Sequence, residues 1–283
     1  CVAVTLKVAI VQQAAGTGTP TFTQDFTDSN AGFSSDVKAA IFIGSSATAN
    51  HTDTNHAYWQ VGLAASGGGE WTHSGTSETG LAASANSRLY YKSEVYAHGA
   101  TAGGTNGEAT INSWLSNGVR VNWTDQSVNE LITCVLLGGD IEAKVVNGAF
   151  TNAAPPDTVT VAHGLSGAPE ILIIFTPSQT ADPASNSIGK PGIGFWANSV
   201  STAISNQWQS TAPMKCNQQI QTAAIGGKQG TGGMTYSNTV TVDATNIYLS
   251  TDIATGAADR FSVLCIRGTA GALVAKTGVA DTP

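Results

Sequence analysis

The side chains with the most chemistry gather early in this 283-residue chain, at His51-Thr52-Asp53-Thr54-Asn55-His56, with Glu70 and His73 following. Imidazole and carboxylate groups bind transition metals. The spacing matches no zinc signature, and the later part of the chain has no equivalent. A solvated polar loop is the simpler reading. Asp25, Asp28, Asn30 and Asp36 offer oxygen ligands to calcium, but they lack the order and closing Glu of an EF-hand loop. A turn whose Asx side chains bond their own backbone accounts for them. Gly226-Gly227-Lys228-Gln229-Gly230-Thr231-Gly232-Gly233 has the glycines of a phosphate loop without the Lys-Ser/Thr order, and reads as a flexible loop. His73-Ser74-Gly75-Thr76-Ser77-Glu78-Thr79-Gly80 misses the Gly-x-Ser-x-Gly spacing of a nucleophile turn by one residue. The 19 acids include no visible pair for glycoside hydrolysis. These residues lead us to expect no catalytic group, no cofactor and no metal.

Aromatic side chains give the one plausible binding chemistry. Trp71 and Trp208 sit among polar residues, in stretches 66–77 and 205–216 that read as loops. An exposed indole there could stack on a sugar ring or anchor a neighbouring subunit. Trp59 and Trp196 fall in apolar, strand-like segments and are expected in the core. Asn50-His51-Thr52 and Asn122-Trp123-Thr124 have the form of glycosylation sites, which matter only in a eukaryotic secretory chain.

The bulk composition narrows the class. Charged residues make up 11% of the chain, against about 25% in typical globular proteins. Small and hydroxyl-bearing residues fill the difference. The net charge is −7 and Lys and Arg form no cluster, which argues against nucleic acid as a partner. No apolar run is long enough for a membrane span. The first eleven residues alternate like a strand and do not resemble a signal peptide. Cys1 would fit removal of an initiator Met, or lipidation after cleavage of a leader. Cys134 and Cys265 lie within apolar strands, and the four cysteines follow no metal or disulfide pattern. Synthesis in a reducing cytoplasm fits.

The elements that must position these residues are all strand-like. The most apolar run of the first half, Glu130 to Gly139, leads through a Gly turn into Asp140-Ile141-Glu142-Ala143-Lys144-Val145. Arg260 to Gly268, followed by Ala272-Leu273-Val274-Ala275-Lys276, repeats that plan. Upstream segments recur in the same order: Val37 to Ile43 with Pro169 to Phe175, Tyr58 to Leu63 with Gly192 to Ala197, and Gly118 to Thr124 with Ala244 to Ser250. Alternating apolar residues and Gly/Asn turns predict short strands, and no stretch has helical periodicity. The expected fold is all-β, two tandem, internally duplicated β-sandwich domains of jelly-roll-like type, spanning 1–148 and 149–283. Gly148 to Pro156 would link them.

Three segments resemble a family of tailed-bacteriophage virion structural proteins with duplicated β domains. They are Gly32 to Phe42, Trp114 to Trp123, and Val135 to Asp140 with Ala143-Lys144-Val145. The first departs from the family pattern by carrying Asp36-Val37 where a Pro is usual; the second half has Pro169. The resemblance implies a non-enzymatic virion component, assembled in the host cytoplasm. It also implies a homo-oligomer whose partners are other capsid or tail subunits. Exterior capsid decoration is the expected role. A tail-associated adhesin that binds a host glycan through Trp71 and Trp208 is the alternative. The strand at residues 1–12 could serve as an arm that adds to a neighbouring sheet.

Overall fold

The structure, a computed structural model, describes residues 6–16, 21–29, 32–33, 37–49, 56–78, 87–99, 105–126, 130–151, 157–176, 184–186, 188–189, 191–209, 215–221, 225–229, 232–251 and 259–269. Every regular element among them is a β-strand. In the first half these are β1 (Leu6–Ala14), β2 (Phe22–Thr27), β3 (Ala39–Ser45), β4 (His56–Ala65), β5 (Glu70–Glu78), β6 (Ser87–Lys92), β7 (Tyr96–Gly99), β8 (Thr105–Leu115), β9 (Gly118–Gln126) and β10 (Leu131–Gly139). The second half holds β11 (Ile141–Ala149), β12 (Asp157–Ala162), β13 (Ile171–Thr176), β14 (Ala184–Asn186), β15 (Ile188–Gly189) and β16 (Gly192–Ala197). It continues with β17 (Val200–Gln209), β18 (Lys215–Gln221), β19 (Ile225–Gln229), β20 (Gly232–Val242), β21 (Asn246–Thr251) and β22 (Arg260–Gly268).

Each half pairs a long sheet with a four-stranded one. The first long sheet runs β1-β10-β3-β4-β5-β6-β14, taking its last strand from the second half, and its partner runs β2-β9-β8-β7. The second runs β11-β22-β13-β16-β17-β15, with β18 also on β17, and its partner runs β12-β21-β20-β19. Apart from β14 and β15, which have no counterparts, replacing β1 to β5 with β11, β12, β13, β16 and β17, β6 with β18, and β7 to β10 with β19 to β22 converts one order into the other. All pairings are antiparallel. Backbone hydrogen bonds repeat as well. Ala15 N donates to Glu130 O at 2.7 Å where Phe150 N donates to Asp259 O at 2.9 Å. Lys38 N donates to Leu137 O at 2.7 Å where Glu170 N donates to Ile266 O at 2.9 Å.

Burial explains why these strands are so apolar. On β10, Ile132, Cys134 and Leu136 face the four-stranded sheet and join Phe26, Phe42, Val121 and Trp123 in one core. Leu172, Ile174, Phe261, Val263 and Cys265 build the matching core of the second half. A third core lies between the halves, on the outer faces of the two long sheets. Ala39, Val61, Leu63 and Leu137 meet Ile141, Ala143, Val145, Leu264 and Ile266 there. Strands covered on both faces have no polar side to show, so β10 and β22 read as near-continuous apolar runs.

The last strand of the segment expected as the first domain pairs with a strand of the other long sheet. Residues 141–149 hydrogen-bond along β22, from Ile141↔Gly268 to Ala149↔Arg260. The chain therefore crosses between long sheets at Gly139-Asp140, where Gly139 has φ of 91°. Alternation identified 141–149 as a strand but could not say which sheet would receive it. The stretch 66–77, expected as a loop, is a tight turn followed by β5, and 205–216 contains the end of β17 and the start of β18. The Gly226 to Gly233 stretch lies largely on β19 and β20. Trp59 and Trp196 lie on opposite faces of their sheets, Trp59 packing between the halves and Trp196 inside the second half's own core. The register aligns Phe42-Gly62 with Ile174-Gly194, which matches Trp196 with Ala64. The two buried thiols are likewise two positions out of step, since Cys134 pairs with Phe42 whereas Val263 pairs with Ile174.

Candidate functional site

The β4–β5 turn and the facing strands of the two long sheets build the junction between the halves. The β4–β5 turn brings its backbone onto β11: Gly67 N donates to Ala143 O at 3.2 Å, and Val145 N donates to Gly68 O at 3.0 Å. A Cβ at Gly69 would stand 2.0 Å from Val145 O, and one at Gly67 would stand 2.5 Å from Ala143 O. The glycines of 67–69 thus permit a close backbone approach, and the flexible loop expected from the sequence is a fitted contact.

Further along the same faces lies a cleft of about 290 Å³ lined by Ile43, Trp59, Val61, Phe175, Ile193 and Ile204. That is near the lower end of small-molecule clefts, which begin at about 300 Å³. His73 forms part of its wall. The imidazole is 2% exposed and sits against the rings of Tyr91 and Phe175, with centroids at 5.0 and 5.6 Å. Its Nε2 lies 2.5 Å from Ser262 Oγ across the junction. Burial lowers its pKa to about 3, so the ring is neutral. A Ser-His contact is the beginning of a nucleophile–base pair. Here the serine is fully buried, and no described residue bonds His73 Nδ1 to orient the ring. The arrangement ties β5 to β22 rather than presenting an attacking oxygen. Sequence reading missed Ser262; its signal is the one hydroxyl interrupting Phe261-Ser262-Val263-Leu264-Cys265-Ile266.

Several other titratable clusters are internal to the first half. Glu130, 3% exposed, accepts a hydrogen bond from the Tyr96 hydroxyl. His98 Nδ1 stands 2.8 Å from its other carboxylate oxygen, without the alignment of a good hydrogen bond. Tyr58 stacks on His98 at 3.8 Å. Burial raises both tyrosine pKa values well above the ordinary phenol range, with the Glu130 charge pushing the same way. Asp259, 4% exposed, occupies the position of Glu130 in the second half. Glu70 accepts the Ile111 N–H at 2.7 Å. Burial raises its pKa to about 7 against the opposing pull of that hydrogen bond, with a further push from Glu94. Lys92 bridges Glu94 at 3.0 Å and Glu108.

The sequence candidates separate accordingly. Glu70 and His73 are three residues apart on one strand and so point to opposite faces, which rules out a shared metal ion. His51 to Asn55 lie outside the described residues. Asp25 forms a two-point pair with Arg120 at 2.6 and 2.8 Å, which holds its carboxyl below the usual range. Asn30 and Asp36 are outside the described residues. Trp71 is half-buried on β5, stacked on Tyr91 with centroids 4.9 Å apart, and packs on the core between the halves. Trp208 lies on β17, opposite Cys216 of β18, and its side chain is outside the described residues. The structure thus places both tryptophans on strands. Compared with known proteins, the chain matches no family model, no curated sequence and no solved structure.

Proposed function

We propose that this chain is a non-enzymatic structural protein of a tailed-phage particle, a decoration protein on the capsid exterior whose task is adhesion to neighbouring subunits. On this reading its two halves are duplicated sandwich domains. The observation that carries the reading is the surface left apolar after folding. Leu6, Val8, Ile10 and Ile43 of the first long sheet, and Phe195, Val200 and Ile204 of the second, are exposed. They lie on the same faces as the core between the halves, opposite residues such as Leu137, Val61, Ile173 and Ile193. Exposed apolar sheet faces on a chain with 11% charged residues suit burial against other subunits. The resemblance in Gly32 to Phe42, Trp114 to Trp123 and Val135 to Val145 supplies the phage context. The glycan-binding alternative has less support, because Tyr91 and the core between the halves already engage Trp71. Mass-spectrometric quantification in purified particles tests the proposal. Many copies per capsid, accessible to exterior labelling, are expected; absence from intact particles overturns it.

A further inference from the structure

The two halves share one topology, yet they use their outer faces differently. β11 has its outward side chains covered: Ile141, Ala143 and Val145 are 2–3% exposed beneath the first long sheet. β1 occupies the same place in its own sheet, since Leu6↔Gly139 and Ile141↔Gly268 are equivalent pairs. Its outward residues are open, Leu6 at 36%, Val8 at 55% and Ile10 at 66%. The receiving surface differs in the opposite sense. Leu63 and His73 of β4 and β5 lie buried at 0% and 2%. Their counterparts by register, Phe195 and Ile204 of β16 and β17, are 37% and 39% exposed, with Val200 beside them at 52%. One chain therefore carries a used donor strand and a used receiving face, joined to each other, plus one open copy of each.

We propose that the open pair is completed between molecules: β1 of one copy packs on the β16–β17 face of a second, as β11 packs on β4 and β5 within the chain. The contact rests on the adhesive role proposed above and specifies its surfaces. It is heterologous, so it propagates head to tail until it closes in a ring or continues as a filament. Its continuity with the core between the halves is what selects a second copy as the occupant. Neither surface carries a charge: the outward residues are Leu6, Val8, Ile10 and Gln12 on one side, and Ile193, Phe195, Val200, Thr202 and Ile204 on the other. The receiving turn is not identical. Val200 stands where Gly69 stands, pairing with Ala197 as Gly69 follows the Ala65 end of β4. A side chain there prevents the close backbone approach made by 67–69, so the second contact is made through side chains.

Light scattering with size-exclusion chromatography tests this on the full chain. The native protein is expected to show a mass above the 28.8 kDa monomer that rises with concentration. Ile10→Glu and Val200→Glu each remove one surface and should each give monomers. Mixed in equal amounts, they retain one intact donor and one intact receiver, and should form a dimer that grows no further. Native protein that stays monomeric at every concentration overturns the proposal, as does either variant still assembling alone or a mixture that stays monomeric. Hydrogen exchange on the unmodified chain provides a readout independent of the variants' folding: 6–12 and 193–204 should gain protection together on concentration, and loss of that pattern counts against the contact. Failure here with many copies on the capsid leaves the decoration role standing and removes only this interface.

Discussion

At the scale of residues, buried polar groups tie the structure together. Glu70 has a pKa raised from 4.5 to about 7, chiefly by burial. Its folded state therefore holds a proton that the unfolded chain releases earlier, so its contribution is complete below 4.5 and is lost as pH rises to about 7. Glu70→Gln should remove that loss, and its melting temperature should gain on the native protein's between about pH 4 and about pH 8. A parallel pH dependence in both proteins would contradict the assignment. Tyr96→Phe tests the Glu130 network. It strips a hydrogen bond from a buried carboxylate and should cost about 1–3 kcal/mol in denaturant unfolding, whereas a change within error would mean that the network contributes little. Little of this was legible in the sequence. Glu70, Glu130 and Ser262 look like ordinary loop or strand residues until distant strands close over them, and His73 drew notice for a metal that its neighbour's opposite face forbids.

At the scale of elements, alternation and apolar runs were the readable signals. They identified β1, β3, β10, β13 and β22, whose side chains pack on one or both faces. They failed at β5 and at the end of β17, where the polar residues that suggested loops continue a strand. They did not show that β11 pairs with β22, because pairing partners are not encoded in a strand's own pattern. The glycines at 67–69 show the same limit: their composition reads as looseness, while their geometry is a fitted contact. Gly69→Ala should be the most damaging change at that turn, since φ is +88° and the added carbon meets Val145 O at 2.0 Å. A loss of about 2 kcal/mol or more is expected, with Gly68→Ala milder because its Cβ finds only Lys144 Cε at 4.0 Å. Equal effects from the two changes would mean that backbone strain alone, and not the contact with β11, sets the cost.

At the scale of the whole molecule, one strand order occurs twice, and the two copies meet through their long sheets. That meeting covers one donor strand and one receiving face and leaves one of each open. An uncharged, apolar remainder on a low-charge chain is the basis for assigning it to an assembly. An all-β fold was visible in the order of segments, whereas the asymmetry of the meeting was not, because it depends on which faces touch in three dimensions. The most direct measurement is the copy number of this chain in purified, intact particles, together with its accessibility to exterior labelling. The account predicts many surface-accessible copies, in a fixed ratio to the main capsid subunit. A handful of copies per particle, or none, would contradict it.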